Sequence, residues 1–260
     1  MEMNIKTPKS SAHTTDCNKC LVRSKSLFSN VKKSNLKSLQ GYRKNQLAIP
    51  AKTDIFQEGE KHELIYTLYS GWGILYKTVS NNGKRQILRF ILPGDLIGYH
   101  TISNGTVSHS ASTLTASTLC AFPRSRLKEM FLKNSELALR LMTMESRDMS
   151  LCQNHLMAAG RKTAIESIAF ILLELFYRSK AQIKHSYNAG DNSIDFPLSQ
   201  EDLGDAVGLT NVHVNRVMKS LMDEKLIICN KKRLTILNIK KLSKIAEFDP
   251  EIIKSQSIVV

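Results

Sequence analysis

The feature that most restricts the fold of this chain is a change of period at Pro123. From Tyr42 to Phe122, short apolar runs alternate with turn signals. They are Gln46–Pro50, Asp54–Phe56 before Glu58-Gly59-Glu60, Ile65–Tyr69 before Ser70-Gly71, Gly73–Val79 before Asn81-Asn82-Gly83, and Gln86–Leu92 before Pro93-Gly94-Asp95. A helix here would carry Gly or Pro in nearly every segment. Strands this short, with a turn every ~8–12 residues, predict an all-β sandwich or barrel, and Ser110–Phe122 supplies further strand. After Pro123 apolar residues recur at intervals of three and four. Ser125–Phe131 fits one short helix, and Ser135 to about Ala159 one long helix with Leu137, Leu141, Met144, Met149, Leu151, Cys152 and Leu156 as its apolar positions. Since the rest of that helix is polar, the stripe needs a partner. A second copy of the same helix is the economical one, with packing onto the β domain of the same chain as the alternative. Gly160-Arg161-Lys162 interrupts the pattern as a hinge, and Ala164–Phe176 forms a strongly apolar helix fit for the core of a second domain, followed by a polar loop, Lys184–Asp195.

Pro197–Lys225, PLSQEDLGDAVGLTNVHVNRVMKSLMDEK, predicts two helices joined by a tight turn. Ser199 is a fitting N-cap with Asp202 three residues on, and Leu203, Ala206 and Val207 follow at helical spacing. Gly208 stops this helix, Leu209 turns inward, and Thr210 caps the next, whose Val214, Val217 and Leu221 form one apolar stripe. The opposite face carries Asn211, His213, Asn215, Arg216 and Lys219, which offer hydrogen bonds to base edges and positive charge to phosphates. An isolated helical hairpin would carry such a face merely as a solvated one. Here Leu226–Cys229, a polar turn Asn230–Arg233 and Leu234–Leu237 follow as a short strand pair with a cationic tip, the wing of a winged helix-turn-helix.

Charge supports a polyanionic partner: 37 Lys and Arg face 23 Asp and Glu, a formal +14 with a pI near 9.6. A basic membrane-surface protein would share that excess. No apolar run approaches the ~18 residues of a spanning helix, and no apolar segment follows the N-terminal lysines as in a secretory signal, so the expected location is the cytoplasm, without membrane association. Five cysteines, an odd number, fit a reducing compartment rather than a secreted disulfide framework. The seven histidines are scattered, and neither Gly-x-Ser-x-Gly, a phosphate-cradling Gly loop nor His-x-x-x-His is present, so no catalytic constellation exists. The expected segments are 1–26, a flexible Cys-containing leader whose first 16 residues bury little; 27–133, the β sensor domain, entered by one or two short helices around Leu27–Leu39; 134–160, the long helix and hinge; 161–248, the DNA-binding domain; and 249–260, a tail.

The order of these parts, with the strings Gln86–Phe90 into Leu92-Pro93-Gly94-Asp95-Leu96-Ile97-Gly98, Gly160-Arg161-Lys162-Thr163-Ala164, and Gly208–Arg216, resembles the CRP/FNR family of bacterial transcription regulators, in particular its FixK-like and FNR-like branch. The resemblance implies an α+β chain: a cyclic-nucleotide-binding-like β-roll (jelly roll), a long dimerisation helix and a winged helix-turn-helix. It implies a homodimer on palindromic double-stranded DNA, acting as activator or repressor with RNA polymerase as partner. Arg216 matches the family arginine that reads a guanine, among the base-reading positions Asn211, Val212, His213, Asn215 and Arg216. Val212 stands where the family carries a glutamate, and a valine meets a thymine methyl rather than cytosine N4. Ser199, Thr210, Lys219 and the wing residues Lys231, Lys232 and Arg233 would meet phosphates.

Against the resemblance, the sensor side departs from the family's pattern. For cyclic AMP the family uses a Gly-Glu pair and Arg-Ser-Ala; here Tyr99-His100 follows Gly98, and the arginine position falls near His109, before Ser110 and Ala111, so a cyclic phosphate loses its bidentate partner. For an iron–sulfur cluster the family supplies four thiolates. Cys17, Cys20 and Cys120 match three, but Ser24–Phe28 lacks the remaining leader cysteine. A zinc or redox site at Cys17 and Cys20, completed by His13 or Cys120, is a further alternative. The simplest expectation is no cofactor and inert thiols, with Cys152 in the core of the dimer helix and Cys229 in strand core. Trp72, Tyr76 and Tyr99 are candidates to line a pocket for an unidentified small ligand.

Overall fold

The computed structural model describes residues 9–10, 15–79, 83–102, 104–182 and 192–253. His13, the Asn81-Asn82 turn, most of the polar loop after Lys184 and the end of the tail lie outside the described residues. The strands are β1 (Lys9–Ser10), β2 (Asn45–Ile49), β3 (Asp54–Phe56), β4 (Leu64–Ser70), β5 (Gly73–Thr78), β6 (Arg85–Ile91), β7 (Leu96–Ile97), β8 (Ser110–Thr113), β9 (Ser117–Pro123), β10 (Ser193–Asp195), β11 (Ile227–Asn230) and β12 (Arg233–Ile236). The helices are α1 (Lys33–Gln40), α2 (Leu127–Lys133), α3 (Glu136–Arg161), α4 (Ala164–Gln182), α5 (Gln200–Val207), α6 (Asn211–Asp223) and α7 (Ile239–Ala246). This is the expected α+β chain: an N-terminal β-roll, one long helix and a C-terminal helix-turn-helix with its wing.

The chain divides into two compact units, Met1–Gly73 with Ile91–Leu141, and Ile74–Phe90 with Met142–Val260. In the first, an antiparallel sheet runs β1-β2-β9-β4-β7. Its centre is apolar because β4 and β9 have neighbours on both sides, and Ile65, Leu68, Leu119 and Ala121 are buried. The register places Cys120 of β9 between Gln46 of β2 and Thr67 of β4. Strand β3 pairs with β8 through a bulge.

The leader is more ordered than its composition predicts. Lys9 and Ser10 pair with Ala48 and Leu47, and from Thr15 onward the segment is fastened by side chains. The Thr15 amide donates to Gln46 Oε1 (2.9 Å), the Cys17 amide to Gln40 Oε1 (3.0 Å), and Arg43 to the Thr15 carbonyl (2.7 Å). Two short 3₁₀ turns, Cys17–Lys19 and Arg23–Lys25, then lead to Leu27, Phe28 and Val31, all buried.

The second unit is built around α4, whose residues from Ile168 to Phe176 are buried almost without exception against α5, α6, α7 and β10. Helix α3 continues through Gly160 to Arg161, so the break lies at Lys162-Thr163 instead of at the glycine. It falls there because the Glu166 carboxylate accepts from the Thr163 amide (2.7 Å) and caps the new helix. The polar loop ends in a strand: Ile194, 1% exposed, anchors β10 against β12. Helix α7 is an addition to the expected elements, formed by the apolar stripe Leu242 and Ala246.

A charged cluster lies inside this unit. Glu174 of α4 has no exposed surface; His155 Nε2 of α3 contacts its Oε2, and Arg178 Nη1 donates to its Oε1 (2.8 Å). Burial alone would push the Glu174 carboxyl up, but the His155 and Arg178 charges and hydrogen bonds outweigh it and hold it at about 2. Burial likewise opposes the charged imidazole of His155, yet its pairing with Glu174 raises it above its ordinary 6.5. A histidine raised on folding stabilises fully below its unfolded value and loses that contribution as pH rises through the folded one. Thermal stability is therefore expected to fall as pH rises above 6.5, and to fall less in His155→Gln. Melting curves from pH 6 to 9 with identical slopes for both proteins would refute this.

Candidate nucleic-acid interface

Helix α5 begins at a complete capping box. The Ser199 hydroxyl accepts from the Asp202 amide (3.1 Å), and the Asp202 carboxylate accepts from the Ser199 amide (2.9 Å). The structure thus gives Ser199 a capping task, its hydroxyl also donating to Asp202 Oδ2 at 2.7 Å, so the phosphate role expected of it meets a committed side chain. Gly208 ends the helix with φ +73°, a left-handed conformation that glycine adopts without a Cβ clash. The turn is closed by the Leu209 amide donating to the Gly204 carbonyl (3.0 Å), and a Cβ at Gly204 would stand 2.5 Å from the Leu209 oxygen. Thr210 caps α6, accepting from the His213 amide (3.4 Å).

Helix α6 buries Val214, Val217, Met218 and Leu221. Asn211, Val212, His213, Asn215, Arg216 and Lys219 are all exposed on its other side, Val212 at 71%. No acidic residue occupies its first turn, so the positive end of the helix dipole is uncompensated where an anion would approach. Beside it, β11 and β12 form a hairpin whose turn residues Lys231 and Lys232 have φ of +48° and +61°. Left-handed φ suits Asn-Gly, and a lysine there costs about 1 kcal/mol. Two lysines in succession therefore hold positive charge at the tip against a conformational cost, with Arg233 exposed next to them.

The apolar positions expected on one side of α3 lie on two. Leu137, Met144, Leu151 and Ala158, spaced by seven, are buried within the chain at 0, 3, 2 and 3% exposure. Met142, Met149 and Leu156, also spaced by seven, are 58, 60 and 76% exposed, and Cys152 between them is exposed too. The two rows begin five residues apart, roughly 140° around a helix. Leu137, Met144 and Leu151 are therefore intrachain core, Leu141 is half-buried, and the open row adds Met142 to Met149, Cys152 and Leu156.

Cys17, Cys20 and Cys120 line one cavity of about 20 Å³ together with Arg43, Gln46 and Thr67. The Gln46 amide donates to Cys120 Sγ (3.3 Å). Burial pushes the Cys17 thiol up to about 11 and raises Cys20. Room for about one water, three sulfurs and a fourth side lined by Arg43, Gln46 and Thr67 do not fit a four-thiolate iron–sulfur cluster. Among the described residues no group of three His, Cys, Asp or Glu is arranged to hold a metal ion. Cys229 is half-buried and burial raises its thiol.

A cyclic nucleotide also finds no fitting donor set. His109, 7% exposed, stands in place of an arginine with Ser108 Oγ 3.1 Å from its Nδ1, and the next hydroxyl, Ser110, accepts from the Glu58 amide (2.9 Å). Tyr99 and His100 pack ring to ring at 4.1 Å. The nearby guanidinium of Arg124 is spent on the carbonyls of His62, Gly98 and Tyr99. Trp72 is buried core and Tyr76 is half-buried. No described helix is long and apolar enough to cross a membrane.

Residues 46–134 match the model of the cyclic nucleotide-binding domain and residues 166–245 that of the Crp-like helix-turn-helix domain. The nitrogen fixation regulation protein FixK of Rhizobium meliloti is 31% identical over 174 residues, 67% of this chain and 74% of that protein. The transcriptional activator protein FnrL of Cereibacter sphaeroides is 28% identical over 221 residues, 85% and 87% of the two chains. The structure of FixK2 from Bradyrhizobium japonicum superposes with a TM-score of 0.67 at 25% identity, over 77% of this chain and 96% of that one.

The crowding at the turn has a measurable consequence. Gly204→Ala places a methyl against the Leu209 carbonyl and is expected to destabilise the second unit by about 2 kcal/mol, the scale of overpacking in a filled core. Urea unfolding reads it as a lower midpoint; an unchanged midpoint would show that the turn can open freely.

Proposed function

This chain belongs to the CRP/FNR family of bacterial transcription regulators, and from that premise we propose that two copies of it, joined along α3, read a palindromic duplex with one α6 in each half-site. As a family member it is a DNA-binding regulator and not an enzyme. The observation that carries the proposal is the fully uncovered polar face of α6 beside a hairpin tip of two strained lysines. Arg216 reads a guanine, a bidentate contact worth ~1–3 kcal/mol of discrimination. Asn211, His213 and Asn215 offer the adjacent amide and imidazole groups, and Val212 offers only a methyl contact. Thr210, Lys219, Lys231, Lys232 and Arg233 set register on phosphates.

Dimerisation is supported by the open row Met142, Met149, Cys152 and Leu156. Its seven-residue period is that of two helices packed side by side, and four exposed apolar side chains in line are unfavourable in water. A two-fold dimer presents its two recognition helices about 34 Å apart, one turn of DNA. RNA polymerase is the partner through which such a dimer would act, in keeping with the activators among its relatives.

Selection from random DNA tests the base contacts. The wild type is expected to enrich a palindrome, Arg216→Ala to lose preference at one G·C pair per half-site, and Lys232→Ala to weaken all sequences alike. Uniform weakening by both variants would remove Arg216 from base readout. Mild oxidation tests the interface: Cys152 is expected to link two chains across the two-fold axis, giving a dimer on a non-reducing gel that Cys152→Ser abolishes. A monomer in sedimentation at micromolar concentration, with no such crosslink, would sink the dimer.

A further inference from the structure

The β5–β6 hairpin belongs to the same compact unit as α3 to α7, and β6 is tied to that unit at four successive points. Arg85 Nε donates to Asp205 Oδ2 at 2.8 Å and its Nη2 to Asp202 Oδ1 at 2.9 Å. Gln86 Nε2 donates to the Ala206 carbonyl at 3.2 Å, one of the last-turn carbonyls of α5 that lack an intrahelical partner. Arg89 pairs with Asp148 of α3, and the Phe90 carbonyl accepts from Arg178 of α4 at 2.9 Å. Asp202 and Asp205 stand three apart on one face of α5, where their like charges repel. The planar fork of the arginine reaches both at once through separate nitrogens in a fixed geometry, where a lysine offers a single point charge. Asp202 is 8% exposed and already holds the capping box, so the hairpin grips α5 at its N-terminal cap and at its last turn.

We propose that this hairpin braces the helix-turn-helix, with Arg85 bridging Asp202 and Asp205 so that the reading helix is held in one orientation before DNA arrives. The brace acts on α6 through the turn where the Leu209 amide donates to the Gly204 carbonyl and where a Cβ at Gly204 would stand 2.5 Å from the Leu209 oxygen. It does not mask the reader, since every predicted base-reading residue of α6 stays exposed. Its effect is therefore preorganisation: a reader fixed in advance does not lose orientational freedom on binding. This inference rests on the assignment of α6 as the reading helix.

Two measurements on the full-length protein separate the brace from that assignment. Hydrogen exchange without DNA is expected to show faster exchange of α5 and α6 amides in Asp205→Asn and in Arg85→Gln, with β2, β4 and β9 unchanged. Unaltered exchange of α5 and α6 in both variants would overturn the brace, whatever the protein binds. The second measurement uses the palindromic duplex that the wild type selects. Asp205→Asn removes a negative charge from the DNA-binding unit, so electrostatics alone predicts tighter binding. The brace predicts the opposite, about fivefold weaker binding, the scale of a partly exposed but well-formed ion pair. The exchanged pair, Arg85→Asp with Asp205→Arg, is expected to recover most of that loss. Equal or tighter binding by Asp205→Asn would refute the brace, whereas a wild type that selects no duplex would refute the reading of function while exchange still decides the brace.

Discussion

A single carboxylate fixes much of the C-terminal unit. Glu174 has no contact with solvent, and an ionised group in that position is tolerated only if its oxygens are taken up by charged donors. His155 supplies one from the long helix and Arg178 another from the same helix as Glu174. Arg178 then spends a second nitrogen on the Phe90 carbonyl, which brings strand β6 into the same arrangement. Because losing one partner of a buried pair costs about 3–5 kcal/mol, the three elements have little freedom to part without large loss. The brace at Arg85 extends this line outward along β6, from a dry cluster to a partly wet one, and ends on the helix-turn-helix.

The long helix solves a different problem, that of serving two surfaces at once. A helix otherwise polar carries two apolar rows with the same period of seven, one filled from within the chain and one open. In sequence the rows interleave, and taken together they resemble a single broad stripe, which is how Leu137, Met144 and Leu151 come to be grouped with Met149 and Leu156. The phase distinguishes them: positions congruent with Leu137 are core, and those congruent with Met142 are surface. Met142 escapes a reading based on the strongest stripe because the row it heads is interrupted by Glu145 and Ser146.

Legibility elsewhere follows the range of the interactions. The strands of the β-roll, both caps and the turn of the helix-turn-helix, and the exposed polar face of α6 depend on residues within about four positions of one another, and the sequence shows them. The leader does not announce its order, because what fastens it are single bonds from Thr15 to Gln46 and from Cys17 to Gln40, 31 and 23 residues away. Strand β10 rests on one buried side chain, Ile194, in an otherwise polar run. The Arg85 bridge spans 117 and 120 residues, and nothing in the composition of Arg85-Gln86 marks it.

These contacts also bear on why α5, which carries Glu201, Asp202 and Asp205, can adjoin a surface proposed to meet phosphates. Unpaired, Asp202 and Asp205 would repel the DNA backbone near α5 and weaken binding to every sequence. Asp202 is taken up by the cap of its own helix, and both aspartates by Arg85, so of the three acidic residues of α5 only Glu201 is exposed. In the proposed reading, base discrimination would fall chiefly on Arg216 and the neutral donors beside it, since Val212 can accept no hydrogen bond from cytosine N4. Asp202 and Asp205, which by charge alone ought to hinder binding, instead become the points by which the proposed reader is held.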